Sequence, residues 1–108
     1  MLIRRLGGAG PADAAASAAA RLIERGAPLA HVAAGVDLSE RQLRRRFTVA
    51  VGYGPKTFAR IVRFQRALAQ IRRGDELAAT AAEAGYADQA HMTREVVELA
   101  GRTPAALR

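Results

Sequence analysis

Apolar positions along the chain repeat with the period of an α-helix, and short breaks containing Gly or Pro divide the pattern into separate helices. The first helix begins near Pro11, a favourable residue for a first helical turn, runs through AAASAAARLIER and ends at Gly26. A short helix, LAHVAAG, follows Pro28. We expect residues 1–10 to form a flexible lead-in and residues 11–108 to form one domain.

The segment SERQLRRRF, at residues 39–47, predicts a helix with one apolar and one strongly basic side. Ser39 and Gln42 fit the S-x-x-Q capping box at its start, and Leu43 and Phe47 lie on its inner side. The break VGYGP then leads into a long helix over about 56–72. Its inward stripe is predicted to contain Phe58, Ile61, Val62, Leu68 and Ile71.

Further helices are predicted after the break RGDE. LAATAAEAG forms a short helix, Asp88 can cap the helix that follows, and Met92 and Val96 face inward from that helix. GRTP interrupts the pattern again, and Thr103 can cap a last turn. The pattern as a whole predicts an all-α fold of about seven helices.

An internal repeat organises these helices. LAHVAAGVDL at 29–38 aligns with LAATAAEAGY at 77–86 at an offset of 48 residues. The helices that follow align at an offset of 49, which pairs Ser39 with Asp88 as caps. The repeated unit is therefore a short helix, a tight turn and a capped helix.

This unit is typical of a helix-turn-helix. The small side chains of Ala33 and Ala81 let the two helices of each unit approach closely. Gly85 suits a turn position with positive φ, whereas Asp37 at the equivalent place adopts that conformation at a higher cost. The predicted boundaries are about 28–50 and 77–99 for the two helix-turn-helix subdomains and about 56–72 for the long linker helix.

Charge is concentrated in the middle of the chain. The net charge is +7, and the sequence pI is about 11.4. Ten Lys and Arg residues stand between Ser39 and Arg73 against Glu40 alone, a net of +9, whereas residues 74–108 carry six acids and three Arg, a net of −3. A polyanionic partner or an acidic membrane surface suits such a segment.

Several functional classes are disfavoured by composition. The chain has no Cys and only two His, so we expect no disulfide, no metal site and no cofactor. No arrangement of nucleophile and base and no Gly-rich phosphate loop indicates an enzyme. No run approaches the roughly 20 apolar residues that span a bilayer. We expect a cytoplasmic protein that is not bound to a membrane.

The quoted motifs resemble the C-terminal DNA-binding domain of the AraC/XylS family of transcription regulators over about residues 12–108. The strongest similarity is GYADQAHMTREVVELAGRTPAALR at 85–108, supported by LSERQLRRRF and GYGPKTFARIVRFQRAL. The chain departs from the family pattern at Thr80, Val96 and Leu107, which predicts a less tightly packed second subdomain.

The resemblance implies two recognition helices that read successive major grooves of double-stranded DNA. A linker helix of about 16 residues is roughly 24 Å long, which suits units one turn of B-DNA, about 34 Å, apart. The resemblance also implies RNA polymerase as a further partner. The family's usual effector-binding or dimerisation domain is expected to be absent from this chain.

The family pattern assigns the contacts to outward residues. Arginine can bridge guanine O6 and N7, and glutamine can read adenine, so base contacts in the first recognition helix are predicted for Arg41, Gln42, Arg44 and Arg45. In the second recognition helix they are predicted for Gln89, Ala90, His91, Thr93 and Arg94. Phosphate contacts are predicted for Arg46, Lys56, Arg60 and Arg63. Because acids surround the second recognition helix, we expect the first unit to supply most of the affinity.

Two alternatives remain open at this point. The basic, amphipathic segment 56–73 could lie on an anionic surface, although its apolar stripe is needed for the core. The chain could also be a basic interaction module, or a non-specific nucleic-acid binder that needs another domain for specificity.

Overall fold

The computed structural model describes residues 13–108, and within that range it contains helices and no strands. The helices are α1 (Ala14–Glu24), α2 (Leu29–Gly35), α3 (Glu40–Val51), α4 (Pro55–Arg72), α5 (Leu77–Ala84) and α6 (Gln89–Ala100), followed by a 3₁₀ turn (Ala105–Leu107). The all-α prediction is confirmed. The predicted lead-in at 1–10 and the predicted start at Pro11 lie outside the described residues.

The chain divides into two compact units, with the boundary inside α4 between Ala59 and Arg60. In the first unit, α1 packs against α2 and α3. Asp13 caps α1, and its Oδ1 accepts a hydrogen bond of 3.0 Å from the Ala16 N–H. The buried side chains of this unit are Ala16, Ala19, Ala20, Ile23, Val32, Ala33, Leu43, Phe47 and Phe58.

The start of α3 has the predicted capping box. The Ser39 Oγ accepts from the Gln42 N–H at 3.0 Å, and the Gln42 Oε1 accepts from the Ser39 N–H at 2.9 Å. Leu43 and Phe47 are buried as predicted, and the Phe47 ring meets Phe58 edge to face with centroids 5.4 Å apart. The inner side of α3 is thereby fixed against the first turn of α4.

The second unit has its own core, in which α5 packs against α6. Its hydrophobic cluster consists of the buried residues Ala67, Ile71, Ala81, Ala84, Tyr86, Met92 and Val96, with Phe64, Leu77, Ala100 and Leu107 packed around them. Asp88 caps α6 as predicted, and the Thr103 Oγ1 accepts from the Ala106 N–H at 3.2 Å in the last turn.

The internal repeat recurs in three dimensions as the same hydrogen bond. The Leu38 N–H donates to the Ala33 carbonyl at 3.0 Å, and the Tyr86 N–H donates to the Ala81 carbonyl at 2.9 Å. Both closures need a residue of positive φ just before the donor, as in the Schellman ending of a helix. Asp37 supplies it with φ of 57° and Gly85 with φ of 101°.

The predicted apolar stripe of α4 is only partly correct. Phe58, Val62 and Ile71 are buried, whereas Ile61 and Leu68 are half-buried, and the small Ala67 is fully buried instead. Helical period alone places residues on a broad arc, and the close approach of neighbouring side chains decides which of them lose all contact with water.

Thr80 and Val96, two departures from the family pattern, are fully buried. The Thr80 hydroxyl donates to the Glu76 carbonyl at 2.9 Å, so no polar group is left unsatisfied there. A less tightly packed second subdomain stays a prediction.

We expect Asp37→Gly to raise the free energy of unfolding by about 0.5–1 kcal/mol, because glycine relieves the positive φ at this turn. Urea denaturation of the variant and the parent chain measures this difference. The matched change is Gly85→Ala at the equivalent turn, which should lower stability by about 1 kcal/mol. The nearest atoms to the added methyl, in the Arg63 side chain, would lie at an ordinary 3.7 Å. A destabilised Asp37→Gly variant would contradict this account.

Candidate nucleic-acid interface

The outer side of α3 is a continuous basic face. Arg41, Arg44 and Arg45 are exposed, and none of the three forms an ion pair within residues 13–108. Because Leu43 and Phe47 are held in the core, these arginines are displayed from a helix whose rotation is fixed. We call these three residues the basic face.

Gln42 is exposed, but one of its side-chain polar atoms already has a hydrogen-bond partner. Its Oε1 accepts the Ser39 N–H in the capping box, so only its amide NH₂ group points to a partner outside the helix. A bidentate contact with adenine needs both the oxygen and the NH₂ group. The adenine contact predicted for Gln42 would therefore require the capping box to open or to share its acceptor.

Arg46 and Lys56 differ in their surroundings. Arg46 is exposed and lies 3.3 Å from the Asp13 carboxylate, which is already the cap of α1. Such a long, half-exposed ion pair is weak and easily exchanged for a phosphate. Lys56 is exposed in the first turn of α4, beside a cleft of about 310 Å³ that Arg44 and Glu40 also line.

The predicted second recognition helix, α6, displays a less charged surface. Gln89, Ala90 and Arg94 are exposed, and Thr93 is half-buried. The Asp88 Oδ1 accepts from the His91 N–H at 2.7 Å, which confirms that Asp88 is the helix cap. The outward positions predicted for α6 are thus present, with one cation, Arg94, among them.

His91 is tied to its own unit. Its Nδ1 accepts from the Ala87 N–H at 3.2 Å, so a neutral ring carries its proton on Nε2. Nε2 lies 3.6 Å from the Glu95 carboxylate, and the ring packs edge-on against Tyr86 with centroids 5.1 Å apart. These contacts favour a structural role for His91 over the predicted base contact.

Glu95 was expected among the acids of the second unit's surface, and the structure corrects this. Its side chain is only 4% exposed and accepts from the Arg60 Nε at 3.1 Å. An Arg63 NH group donates to its two oxygens at 3.0 and 3.1 Å. Arg60 also donates to Glu98 at 2.6 Å. We call these four residues the Glu95 cluster.

The cluster bears on the phosphate contacts predicted for Arg60 and Arg63. Both guanidinium groups are engaged by carboxylates of α6, so a phosphate contact would require these ion pairs to open. The spacing of Glu95, three residues after the buried Met92, was a signal for an inward position. The pattern of apolar positions alone does not reveal it, because a carboxylate is rarely expected in a core.

Local electrostatics follow from this burial. The hydrogen bond with Glu95 raises the pKa of Arg60, and the negative charges of Glu95 and Glu98 add to the effect. Burial, with the charge of Glu95 adding to it, raises the pKa of Tyr86 to about 12. The Arg63 guanidinium lies 5.4 Å from the centroid of the Tyr86 ring, a cation–π arrangement. Tyr86 thus stays neutral beside the ion pairs.

Neither a membrane span nor a metal site is found in the part of the chain that the structure describes. Among residues 13–108, none of the helices combines the length and the hydropathy needed to cross a bilayer. The same residues contain no group of three or more His, Asp or Glu side chains placed to hold a metal ion.

Comparison with known proteins agrees with this geometry. A family model described as a helix-turn-helix domain matches residues 32–108. The crystal structure of a probable AraC family transcriptional regulator from Rhodopseudomonas palustris matches with a TM-score of 0.74 and 24% identity, covering 86% of this chain and 93% of that chain. No curated protein matches the chain. The matched range contains the second helix-turn-helix unit and all of the first except residues 29–31 at its start, and the chain belongs to the AraC-type helix-turn-helix family of DNA-binding transcription regulators.

Proposed function

We propose that this regulator binds a specific sequence of double-stranded DNA by placing α3 and α6 in successive major grooves. The observation that carries the proposal is the basic face: three exposed arginines that form no ion pair within residues 13–108, on a helix whose other side is held in a core. Bare arginines this close repel one another, and a polyanion relieves that repulsion. The recurrence of the same turn and capped helix in the second unit supports a second reading element.

In the first unit, the arginines have the chemistry for both steps of recognition. Arg41, Arg44 and Arg45 can each donate two parallel hydrogen bonds to guanine O6 and N7. Lys56 and Arg46 lie outside this set and suit phosphates, which position a protein on DNA without reading sequence. Gln42 keeps only its NH₂ group for DNA, so it suits a single acceptor.

In the second unit, Gln89 and Arg94 are the best candidates for base contacts, because both are exposed on α6. Ala90 is exposed beside them and can touch a thymine methyl group. Thr93 and His91 are half-buried, and His91 already has partners in its own unit, so their contacts are secondary. The exposed side chains of α6 are therefore better suited to contacts with bases than to attraction of phosphates.

The two units should therefore contribute differently. The first displays unpaired arginines, whereas the second has Arg60 and Arg63 bound by carboxylates. We expect the first unit to supply most of the affinity and the second to refine the choice of site. Contact with RNA polymerase, a further effector or dimerisation domain and location at the nucleoid are additional predictions from the family.

The first test measures binding of this chain to random duplex DNA and to a selected DNA pool at several salt concentrations. On random DNA, about four to six of the exposed cations of α3, α4 and α6 can contact phosphates, so the plot of log K against log salt should have a slope of about −4 to −5. Selection should enrich one bipartite motif with halves about one helical turn apart. A steep slope without enrichment would instead indicate a non-specific binder. Binding to anionic vesicles without binding to DNA would indicate a membrane-surface role.

The second test compares Arg44→Ala with Gln89→Ala on the selected site. Loss of a bidentate arginine contact should weaken binding about 5- to 150-fold, and Gln89→Ala should weaken it less while relaxing preference in one half of the motif. Arg25→Ala is the matched control, because it removes an exposed arginine at the end of α1. A larger loss for Gln89→Ala would reverse the assignment of affinity to the first unit.

A further inference from the structure

The Glu95 cluster opens onto the surface that the second recognition helix displays. A shallow depression of about 250 Å³ in the second unit is lined by Arg60, Arg63, His91, Arg94, Glu95 and Glu98. Arg60 and Arg63 of α4 therefore line the same depression as Arg94, a candidate for base contacts. Whatever holds Arg60 and Arg63 decides how much free positive charge faces a ligand at α6.

A buried carboxylate is an unexpected group on a helix that binds DNA. Its negative charge repels phosphates, and its removal from water costs free energy unless partners compensate. Here the compensation is specific, because three hydrogen bonds from two arginines reach its two oxygens. Glu95 engages both arginines, and together with Glu98 it balances two positive charges that would otherwise attract any DNA backbone.

The cluster also connects two helices at several points. Arg60 bridges Glu95 and Glu98, which lie about one turn apart on α6, and Arg63 binds Glu95 while its guanidinium stacks on Tyr86. A bridge to two successive turns restrains both the rotation and the axial position of α6. Gln89 and Arg94 are carried on that same helix, so their directions depend on this restraint.

We propose that Glu95 is a specificity-determining positioning residue of the second unit. It holds Arg60 and Arg63 away from DNA phosphates and fixes the register of α6, so that this helix selects bases with little non-specific attraction. The inference rests on the proposed function, since it concerns the reading of the second half of the motif.

The experiment compares Glu95→Gln with Glu98→Gln on the motif selected by the parent chain. Both variants raise the net charge by one, and each removes a carboxylate of α6 that binds Arg60. The two carboxylates differ in burial, because the Glu95 side chain is 4% exposed and the Glu98 side chain is 64% exposed. Affinity is measured for the motif, for substitutions in each half and for random DNA, over a range of salt concentrations.

For Glu95→Gln we expect two changes together. The salt slope should steepen by about 1 to 2, since each arginine released to a phosphate adds about 0.9. In a specific complex, a substituted base pair weakens binding about 5- to 150-fold. For base pairs in the second half of the DNA motif, this discrimination should fall at least about threefold, whereas discrimination in the first half of the motif should not change. Glu98→Gln should change the salt slope by less than about 0.5 and the discrimination by less than about twofold, as expected for an exposed pair.

A second pair of variants separates positioning from folding. Adding Arg60→Gln and Arg63→Gln to Glu95→Gln should return the salt slope to at most its parent value, because no released arginine remains. Arg60→Gln alone leaves Arg63 to pair with Glu95, so the carboxylate keeps a partner and the fold is retained. Arg60→Gln should still lose discrimination between base pairs in the second half of the DNA motif, but its plot of log K against log salt should not become steeper.

The outcomes that overturn the inference are distinct from those that overturn the proposed function. Equal effects of Glu95→Gln and Glu98→Gln, or full second-half discrimination in Arg60→Gln, would overturn the positioning role alone. A general loss of DNA affinity at an unchanged slope would show that Glu95 serves only stability and would also overturn it. A parent chain that enriches no motif would overturn the proposed function and this inference together.

Discussion

The closing hydrogen bond of each helix-turn-helix is the constraint on which the rest of the structure depends. In both units an N–H just after the turn returns to an alanine carbonyl in the short helix, at 3.0 Å from Leu38 and 2.9 Å from Tyr86. This bond needs a left-handed residue before its donor, and the chain supplies Asp37 and Gly85. Once it forms, the capped helix that follows can leave in only a narrow range of directions. Its inner side then meets the core, and its outer side is presented to a ligand.

The two units use this common frame with different electrostatics. On α3, the inner side is entirely apolar, so the neighbouring arginines have nowhere to direct their charge except outward. On α6, the inner side contains Glu95, and this carboxylate draws the arginines of α4 toward the core. The first unit therefore presents its positive charge to solvent, whereas the second unit pairs its α4 arginines with its own carboxylates. Under the proposed function, the strongly attracting helix would find DNA and the weakly attracting helix would test its sequence.

The buried charge of Glu95 restricts which arrangements of the neighbouring side chains are stable. Breaking one side of a buried ion pair leaves an uncompensated charge and costs far more than the pair itself contributes. The Glu95 cluster consequently tolerates few alternative arrangements, and the neutral Tyr86 beside it adds a cation–π contact with Arg63 and an edge-on contact with His91. A cluster of this kind restricts the positions that α6 can adopt more sharply than apolar packing does, because its bonds are directional.

Much of the molecule was determined by the sequence alone. Period, capping residues and breaks located the helices, the repeat located the two units, and the spacing of Leu43 and Phe47 placed the arginines of α3 outward. These features are local, because helical geometry fixes which side chains share a face. The sequence could not show that Gln42 engages its oxygen in the cap, or that His91 turns toward Ala87 and Tyr86. Above all, it could not show that Arg60 and Arg63 meet Glu95, more than 30 residues away, because charge pairing at that separation exists only after the helices have packed.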